Sequence, residues 1–302
     1  MTDKITIVIP THNRGYTLRQ TLDTLYTQAD VDELVVVDDA GSDDTLTVLH
    51  EFAARYPDVR TVYKRNTTRR GAAGSRMVGV QASTNAWVLF CDDDDFLAPG
   101  YAQVCRRKAE ETSAAIVSGR HFYRQREERL ADAVRRFGAG LNSQPPFDTL
   151  RFRVNGDARF NGDLELPFTH GIFLARRAFL LQYGFDAYYS KGNGFREESD
   201  LQMRAFLDGH RILVTNDAHA IHLHQSEVAT GGQRVNRLRR YYWTVYYTSY
   251  FYRKYFERAR GRLQIPYPAS AAIVLFALIE GVVFFVRPLF IAPARLASAL
   301  RR

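Results

Sequence analysis

The chain has 302 residues, 46% of them hydrophobic, and no low-complexity tract, which excludes a disordered or fibrous protein and allows one large domain or two ordinary ones. A net charge of +8 points to an anionic partner: nucleic acid, a phosphorylated substrate or a membrane surface. Two cysteines, Cys91 and Cys105, exclude a disulfide framework and lack metal-ligand spacing, so both are expected to be buried, reduced thiols in a cytosolic setting.

The N-terminus leads straight into a strand-like run, without the charged and apolar regions of a signal peptide. Residues 5–10, Ile-Thr-Ile-Val-Ile-Pro, form a β-branched run stopped by proline, the pattern of a buried strand in a parallel sheet. Leu18, Leu22 and Leu25 then fall at helical spacing. A second run, 33–38, ends in Asp38-Asp39-Ala40-Gly41-Ser42. Asp43, Asp44 and Thr45 are good helix starters, and Val48, Leu49 and Phe52 share one face of the helix that follows. Residues 59–63 predict a third strand, 71–82 a helix opened by small residues, and 86–91 a fourth strand. Strand and helix alternating at this spacing predict βαβ units, a parallel sheet and helices on both of its faces. Ligands then bind outside the carboxyl ends of the strands.

Residues 119–165 are rich in arginine, carry Pro145-Pro146 and show no clear period, which predicts an irregular, substrate-facing region. Order returns with a strand, Gly171-Ile-Phe-Leu, a helix to Tyr183 and a turn at Gly184-Phe185-Asp186. A helix is expected from Phe195 to Phe206, and short strands at 211–214 and 218–224. Ten of the sixteen residues 241–256 are aromatic, and Arg239, Arg240, Arg253 and Lys254 flank or interrupt them. Residues 269–286 are almost wholly apolar, broken by Ser270, Glu280 and Gly281, and Arg287, Arg295, Arg301 and Arg302 follow. Aromatic and basic residues beside an apolar stretch suit a membrane interface, so this tail is expected in or on the inner face of a membrane. Glu280 favours an in-plane or hairpin placement over a span. A packed helical subdomain or a dimer interface is the competing arrangement.

Three polar clusters share the carboxyl edge of the expected sheet: Thr11-His12-Asn13-Arg14, Asp38-Asp39 and Asp92-Asp93-Asp94-Asp95. Four adjacent carboxylates repel one another unless a cation lies among them, and hard cations such as Mg²⁺ or Mn²⁺ prefer oxygen ligands. A single acidic loop would be a solvated turn or a helix cap. Three polar loops on one edge make a site for a metal and a phosphate-bearing ligand.

In this order the motifs resemble those of the family 2 glycosyltransferases with the GT-A fold. Val8-Ile9-Pro10-Thr11-His12-Asn13-Arg14 looks like the family's first strand and donor loop. Val36-Val37-Asp38-Asp39-Ala40-Gly41-Ser42 is similar to its second, with Ala40 an extra residue before the usual Gly-Ser. Gly71-Ala-Ala-Gly74-Ser75-Arg76 resembles the glycine-rich helix start, with Met77 in place of the usual Asn. Residues 90–99, from Phe90 to Pro99, look like the DXD segment, and Arg196-Glu197-Glu198-Ser199-Asp200-Leu201 like the late acidic motif, commonly Glu-Asp. The resemblance covers about residues 4–230.

The resemblance implies an α/β fold of GT-A type, a Rossmann-like, mostly parallel sheet flanked by helices. The catalytic domain would occupy 1–230, split into a nucleotide-sugar-binding half (1–118) and an acceptor-binding half (119–230), ahead of a helical, membrane-associating region, 231–302. It further implies inverting transfer of a sugar from a nucleotide-diphosphate donor, UDP- or dTDP-linked, to a hydroxyl of a saccharide or lipid-linked acceptor in cell-surface glycan synthesis. Asp94 would be the main ligand of Mn²⁺ or Mg²⁺, which neutralises the leaving diphosphate. Asp92 would lie near the metal and the donor sugar or ribose. His222 or His224, two apart on a strand and so on one face, would complete the shell, with His222 preferred. Asp39 would accept a hydrogen bond from the base imide in a pocket framed by Pro10, Thr11, His12 and Arg14. Arg70 or Arg76 would pair with the diphosphate or base. Asp93 and Asp95 would hold the turn, Asp93 also bordering the donor. Glu198 would be the general base, with Glu197 and Asp200 as rivals. The enzyme is expected in the cytoplasm, peripheral to or anchored on the membrane through its C-terminal region, which also offers a surface for a homodimer. Competing functions are a polyprenyl-phosphate glycosyltransferase and a non-catalytic nucleotide- or glycan-binding protein on the same scaffold. Nucleic-acid binding explains the charge but not the carboxylates, and is not expected.

Overall fold

A computed structural model of the chain describes residues 3–138, 144–156, 158–230 and 236–286. The first half alternates strand and helix: β1 (Ile5–Thr11), α1 (Gly15–Tyr26), β2 (Val31–Asp38), α2 (Thr45–Arg55), β3 (Arg60–Arg65), α3 (Gly71–Ala82), β4 (Trp87–Phe90), β5 (Asp95–Leu97) and α4 (Tyr101–Thr112). The second half holds β6 (Ile116–Tyr123), α5 (Leu130–Gly138), β7 (Phe147–Asp148), β8 (Arg153–Val154), β9 (Asp163–Glu165), β10 (Leu174–Arg176), α6 (Arg177–Tyr183), α7 (Glu197–Leu207) and β11 (Ile212–His222). Two helices close the described chain, α8 (Arg237–Leu263) and α9 (Ala269–Gly281), the latter continuing as a π turn over Val282–Val286.

One sheet organises the protein, in the order β3-β2-β1-β4-β10-β6-β11-β5, with β9 paired to β11. Strands β1 to β4 are parallel, β10 runs antiparallel to β4 and β6, and β11 is parallel to β6. The continuous apolar runs have a direct cause: both faces of the sheet are covered. Ile7, Ile9, Leu34 and Val36 pack with Leu18 and Leu22 of α1 and Val48 of α2. Val8, Val35 and Val37 point the other way, onto Val80 of α3, Leu180 of α6 and Leu201 of α7. Both cysteines are buried and free.

The structure corrects the expected irregularity of 119–165. That stretch contains most of β6, then α5 and β9. The strand was masked by buried polar residues that find partners: Ser118 Oγ lies 2.6 Å from Thr169 Oγ1, and Arg120 donates to Asn216 Oδ1 at 2.8 Å and Ala158 O at 2.5 Å. The two short strands expected at 211–214 and 218–224 are one strand, β11, whose register against β6 shifts between Val214 and His219. The strand expected at 171–174 begins only at Leu174.

The aromatic helix α8 shares a core with α7 and the segments around Phe152 and Phe168. Phe251, Tyr252, Tyr255 and Phe256 pack with Met203 of α7 and with Phe152 and Phe168. Lys254 Nζ donates to Asp186 and to the fully buried Asp200, both at 2.7 Å. The Tyr252 hydroxyl is buried without a hydrogen-bond partner among the described residues. A buried hydroxyl left unpaired costs about 1–3 kcal/mol. Tyr252→Phe is therefore expected to raise unfolding stability by about 1 kcal/mol, read as a higher denaturant midpoint; a fall would show that the hydroxyl is satisfied.

Helix α9 is apolar all round. Ala272, Phe276 and Glu280, one face at i, i+4 and i+8, are buried against α8 and the loop before β8. Glu280 is only 5% exposed, and its carboxylate accepts from Arg151 Nε at 3.0 Å and Nη2 at 2.5 Å. Val274 and Leu278, on the opposite face, are 60% and 64% exposed.

Candidate active site

The carboxyl ends of β1, β2 and β4 bring the three polar clusters together, and loop-to-loop hydrogen bonds fix them. His12 Nδ1 lies 2.9 Å from Asp39 O, and Asn13 Oδ1 accepts from Ser42 N at 2.7 Å. Asp38 holds its own turn, accepting from Gly41 N and from the Tyr63 hydroxyl, both at 2.7 Å. The extra Ala40 is accommodated in the left-handed region, at φ 57°. Asp39 is 4% exposed and accepts from Asn66 Nδ2 (2.8 Å), Arg69 Nε (3.0 Å) and the backbone N–H groups of Arg70 (2.8 Å) and Gly71 (2.9 Å). Burial would push its carboxyl up, but these donors hold it below the usual carboxylate range. It therefore ties the segment before α3 to the end of β2. The Arg70 side chain is exposed.

The expected nucleoside frame divides in two. His12 faces Asp39, whereas Thr11 and Arg14 face the aspartate turn. Thr11 Oγ1 donates to Asp93 Oδ2 at 2.7 Å, and Arg14 Nη1 reaches Asp93 at 2.6 Å and Asp94 at 3.2 Å. Pro10 stays within the β1–β2 register, opposite Val37. Asp93, expected to border the donor, instead turns inward: it is 3% exposed and engaged by Thr11 and Arg14.

The four aspartates thus have four environments. Asp92 is half-buried and accepts from Arg76 Nη2 at 2.7 Å. Asp94 faces His222, with Nε2 3.5 Å from Oδ2. Burial, first, and the Asp93 and Asp95 charges push the Asp94 carboxyl up to about 7, against the pull of His222 and Arg14. Asp95 is fully buried; desolvation opposes its charge, but His222 and His121 hold it far below the usual range. Burial likewise works against a charged His222, yet Asp95 and Asp94 override it and push the ring up to about 9.

Across the cleft, α7 begins at Arg196, held at φ 80°, and presents its acidic first turn. Glu197 is buried and paired with Arg76, the same guanidinium that holds Asp92. One side chain therefore bridges the carboxylates of β4 and α7. Gly171 leaves it room: a Cβ there would lie 3.1 Å from Arg76 Nη2. Burial pushes the Glu197 carboxyl up, and Arg76 pulls it back down. Glu198 is half-buried and also raised by burial, within the field of Arg76 and Asp92. Asp200, the other rival base, faces away: it accepts from Lys254 and from the Tyr189 hydroxyl, at 3.1 Å, beneath α8.

The sequence profile described as Glycosyl transferase family 2 matches residues 6–184, more than half of the chain. The chain belongs to glycosyl transferase family 2. This glycosyltransferase is 30% identical over 99 residues to the uncharacterized glycosyltransferase YibD of Escherichia coli (strain K12), covering 32% of this chain and 28% of that protein. It is 31% identical over 115 residues, 37% of either chain, to the GalNAc(5)-diNAcBac-PP-undecaprenol beta-1,3-glucosyltransferase of Campylobacter jejuni. Matches to these relatives span well under half of their length. Its fold is similar to S. aureus TarS 1–349 in complex with UDP (TM-score 0.55, 16% identity, 93% of this chain and 72% of that one). It is also similar to GalNAc-T7 with UDP, GalNAc and Mn2+ (TM-score 0.60, 16% identity, 82% and 49%). The expected GT-A fold is thereby shown.

The donor set of the glycosyltransferase fits a divalent cation. Asp92 and Asp94 offer oxygens that lie within 4.8 Å of one another and of an Asp95 oxygen, and the buried Asp95 Oδ2 behind them has no hydrogen-bond partner among the described residues. His222 closes the cluster. His224 does not: its Nδ1 lies 2.7 Å from Ser226 Oγ in the next turn. Sequence reasoning missed His121, whose Nε2 lies 2.9 Å from Asp95 Oδ1. Its signal was position on a strand beside the histidine-bearing one, hidden until β6 was recognised.

Proposed function

We propose that this glycosyltransferase moves a sugar, with inversion, from a UDP- or dTDP-sugar to a hydroxyl of a saccharide or lipid-linked acceptor in cell-surface glycan synthesis. The observation that carries this reading is the Arg76 bridge. It sets the β4 carboxylates, suited to a donor diphosphate, beside the α7 carboxylates, suited to an acceptor hydroxyl. The UDP complexes of TarS and GalNAc-T7 support a uridine donor, and the lipid-linked substrate named for the Campylobacter relative supports such an acceptor.

Asp94, Asp92 and His222 would hold Mn²⁺ or Mg²⁺, and the Mn2+ of GalNAc-T7 supports that choice. Bound there, the cation neutralises charge on the leaving diphosphate as a Lewis acid. The chain's own groups do the rest. Asp39 and the loop it orders, with Pro10 and His12, border the nucleoside. Arg14 and Thr11 hold the aspartate turn through Asp93. Arg76 keeps Asp92 and Glu197 in place. Glu198, the α7 carboxylate with no salt bridge among the described residues, takes the acceptor proton. The test is nucleoside diphosphate release from a panel of UDP- and dTDP-sugars with Mn²⁺ or Mg²⁺; no release from any donor would refute the reading.

The tail supports a seat on the cytoplasmic membrane face. Residues Ala269–Val286 are long and apolar enough to cross a membrane, with a mean hydropathy of 2.5. Glu280, however, is neutralised by Arg151, and Phe276 is packed against Tyr252, so α9 is fastened to the protein along its length. An in-plane placement follows, outer face down. The neighbouring end of α8 adds exposed Leu238 and Tyr242, beside Arg237, Arg239 and Arg240, around a cavity of about 740 Å³ that shares no residue with the carboxylate cluster. Each basic residue near an anionic surface is worth about 1 kcal/mol. Changing all three arginines to glutamine is expected to weaken cosedimentation with anionic vesicles by about a hundredfold; unchanged binding would refute the placement.

A further inference from the structure

Asp95 does more than shape the aspartate turn. It is fully buried, on the short strand β5, in antiparallel register with His222 of β11. One of its oxygens, Oδ1, lies 3.0 Å from His222 Nδ1 and 2.9 Å from His121 Nε2. The geometry has a simple origin. Residues paired across adjacent strands point to the same face, as do residues two apart on one strand. His222 pairs with Asp95, Ala220 pairs with His121, and Ala220 and His222 are two apart. All four therefore share one face, and Ala220 carries no side chain beyond Cβ to block His121 from reaching over β11 to Asp95.

A carboxylate only accepts, so both imidazole nitrogens that face Oδ1 must carry hydrogen. That requirement keeps a hydrogen on Nδ1 of His222, whatever Nε2 carries. Its other nitrogen, Nε2, is the one directed at Asp94, 3.5 Å from Oδ2. A histidine in the opposite tautomer would turn an N–H toward the ligand position and could not bind a cation there. Metal-binding histidines commonly have their second nitrogen held in this way, which sets ring orientation and raises basicity.

We propose that Asp95 is a positioning residue, which fixes the tautomer and orientation of His222 so that Nε2 is left free for the cation at Asp94, and that His121 fastens Asp95 from the opposite side. This rests on the reading of Asp94 and His222 as cation ligands. The anchoring is shared by three strands: β6 supplies His121, β11 His222 and β5 the carboxylate.

The test is Mn²⁺ affinity, measured from the electron paramagnetic resonance of free Mn²⁺ without donor or turnover. Asp95→Asn keeps the shape but can present an N–H to His222. It is expected to bind Mn²⁺ about ten- to a hundredfold more weakly, with metal-free UDP affinity close to that of the unaltered protein. Equal Mn²⁺ affinity in the two proteins overturns the proposal. Absence of Mn²⁺ binding by the unaltered protein overturns instead the cation reading beneath it. A second measurement needs no variant: ¹⁵N-histidine spectra with ¹¹³Cd²⁺ as a diamagnetic probe. Cadmium coupled to Nε2 of His222, with hydrogen on Nδ1, is the expected result, and cadmium coupled to Nδ1 overturns the assignment.

Discussion

Asp94→Asn is expected to slow glycosyl transfer about a thousandfold while leaving the fold intact. A Lewis-acid cation contributes several kcal/mol to charge stabilisation, and about 4 kcal/mol corresponds to three orders of magnitude in rate. Asp94 is the residue whose loss should remove most of that contribution, because it lies between Arg14 at 3.2 Å and His222 at 3.5 Å. Asparagine matches its volume and keeps one oxygen, so packing is preserved. Stability should rise slightly in metal-free buffer. Folding raises this carboxyl above its unfolded value, so its ionisation costs stability as pH climbs from about 4 toward the folded value of about 7. The neutral amide abolishes that cost. Nucleoside diphosphate release gives the rate and thermal unfolding at two pH values gives the stability. A rate within a few-fold of the unaltered protein would remove Asp94 from the chemistry.

Glu198→Gln is expected to lower the transfer rate by about a hundred- to ten-thousandfold, the range for loss of a general base. The choice between the two adjacent glutamates rests on their surroundings. Glu197 is 4% exposed and committed to Arg76, whereas Glu198 is half-buried and has no salt bridge among the described residues. Burial raises the Glu198 carboxyl despite the pull of Arg76 and Arg196. The base works when ionised, so the rate should rise with pH through a value above the usual carboxylate range, and that limb should vanish in the glutamine variant. Donor affinity should stay the same, because Glu198 would face the acceptor. An unchanged rate in Glu198→Gln, joined with a large loss in Glu197→Gln, would transfer the role to Glu197.

Much of this was legible in the sequence because the strands of the first half are buried on both faces. The centres of the runs 5–10 and 33–38, residues 7–9 and 34–37, are uniformly apolar for that reason, and the acidic block after 86–91 follows directly onto the sheet edge. The helix expected over 71–82 is α3 itself. Burial of polar residues hid the remainder. Strand β6 carries Ser118 and Arg120 inward, which erased its period and concealed His121 with it. The partners of the aspartates were equally invisible. Spacing along the chain cannot say that Arg14 holds Asp93, or that Arg76 joins Asp92 to a helix more than a hundred residues later. Likewise, Glu280 argued from sequence against a simple span, but its neutralisation by Arg151 comes from the loop ahead of β8, far away in the chain.

In the proposed function a single site, bounded by Asp94 on the donor side and Glu198 on the acceptor side, would perform one displacement at the sugar. The most direct measurement is the anomeric configuration of the first product, read by ¹H NMR while the protein consumes a UDP- or dTDP-sugar in the presence of Mn²⁺. A product of configuration opposite to the donor's, formed as nucleoside diphosphate is released, is the predicted result. A product that retains the donor's configuration would contradict it.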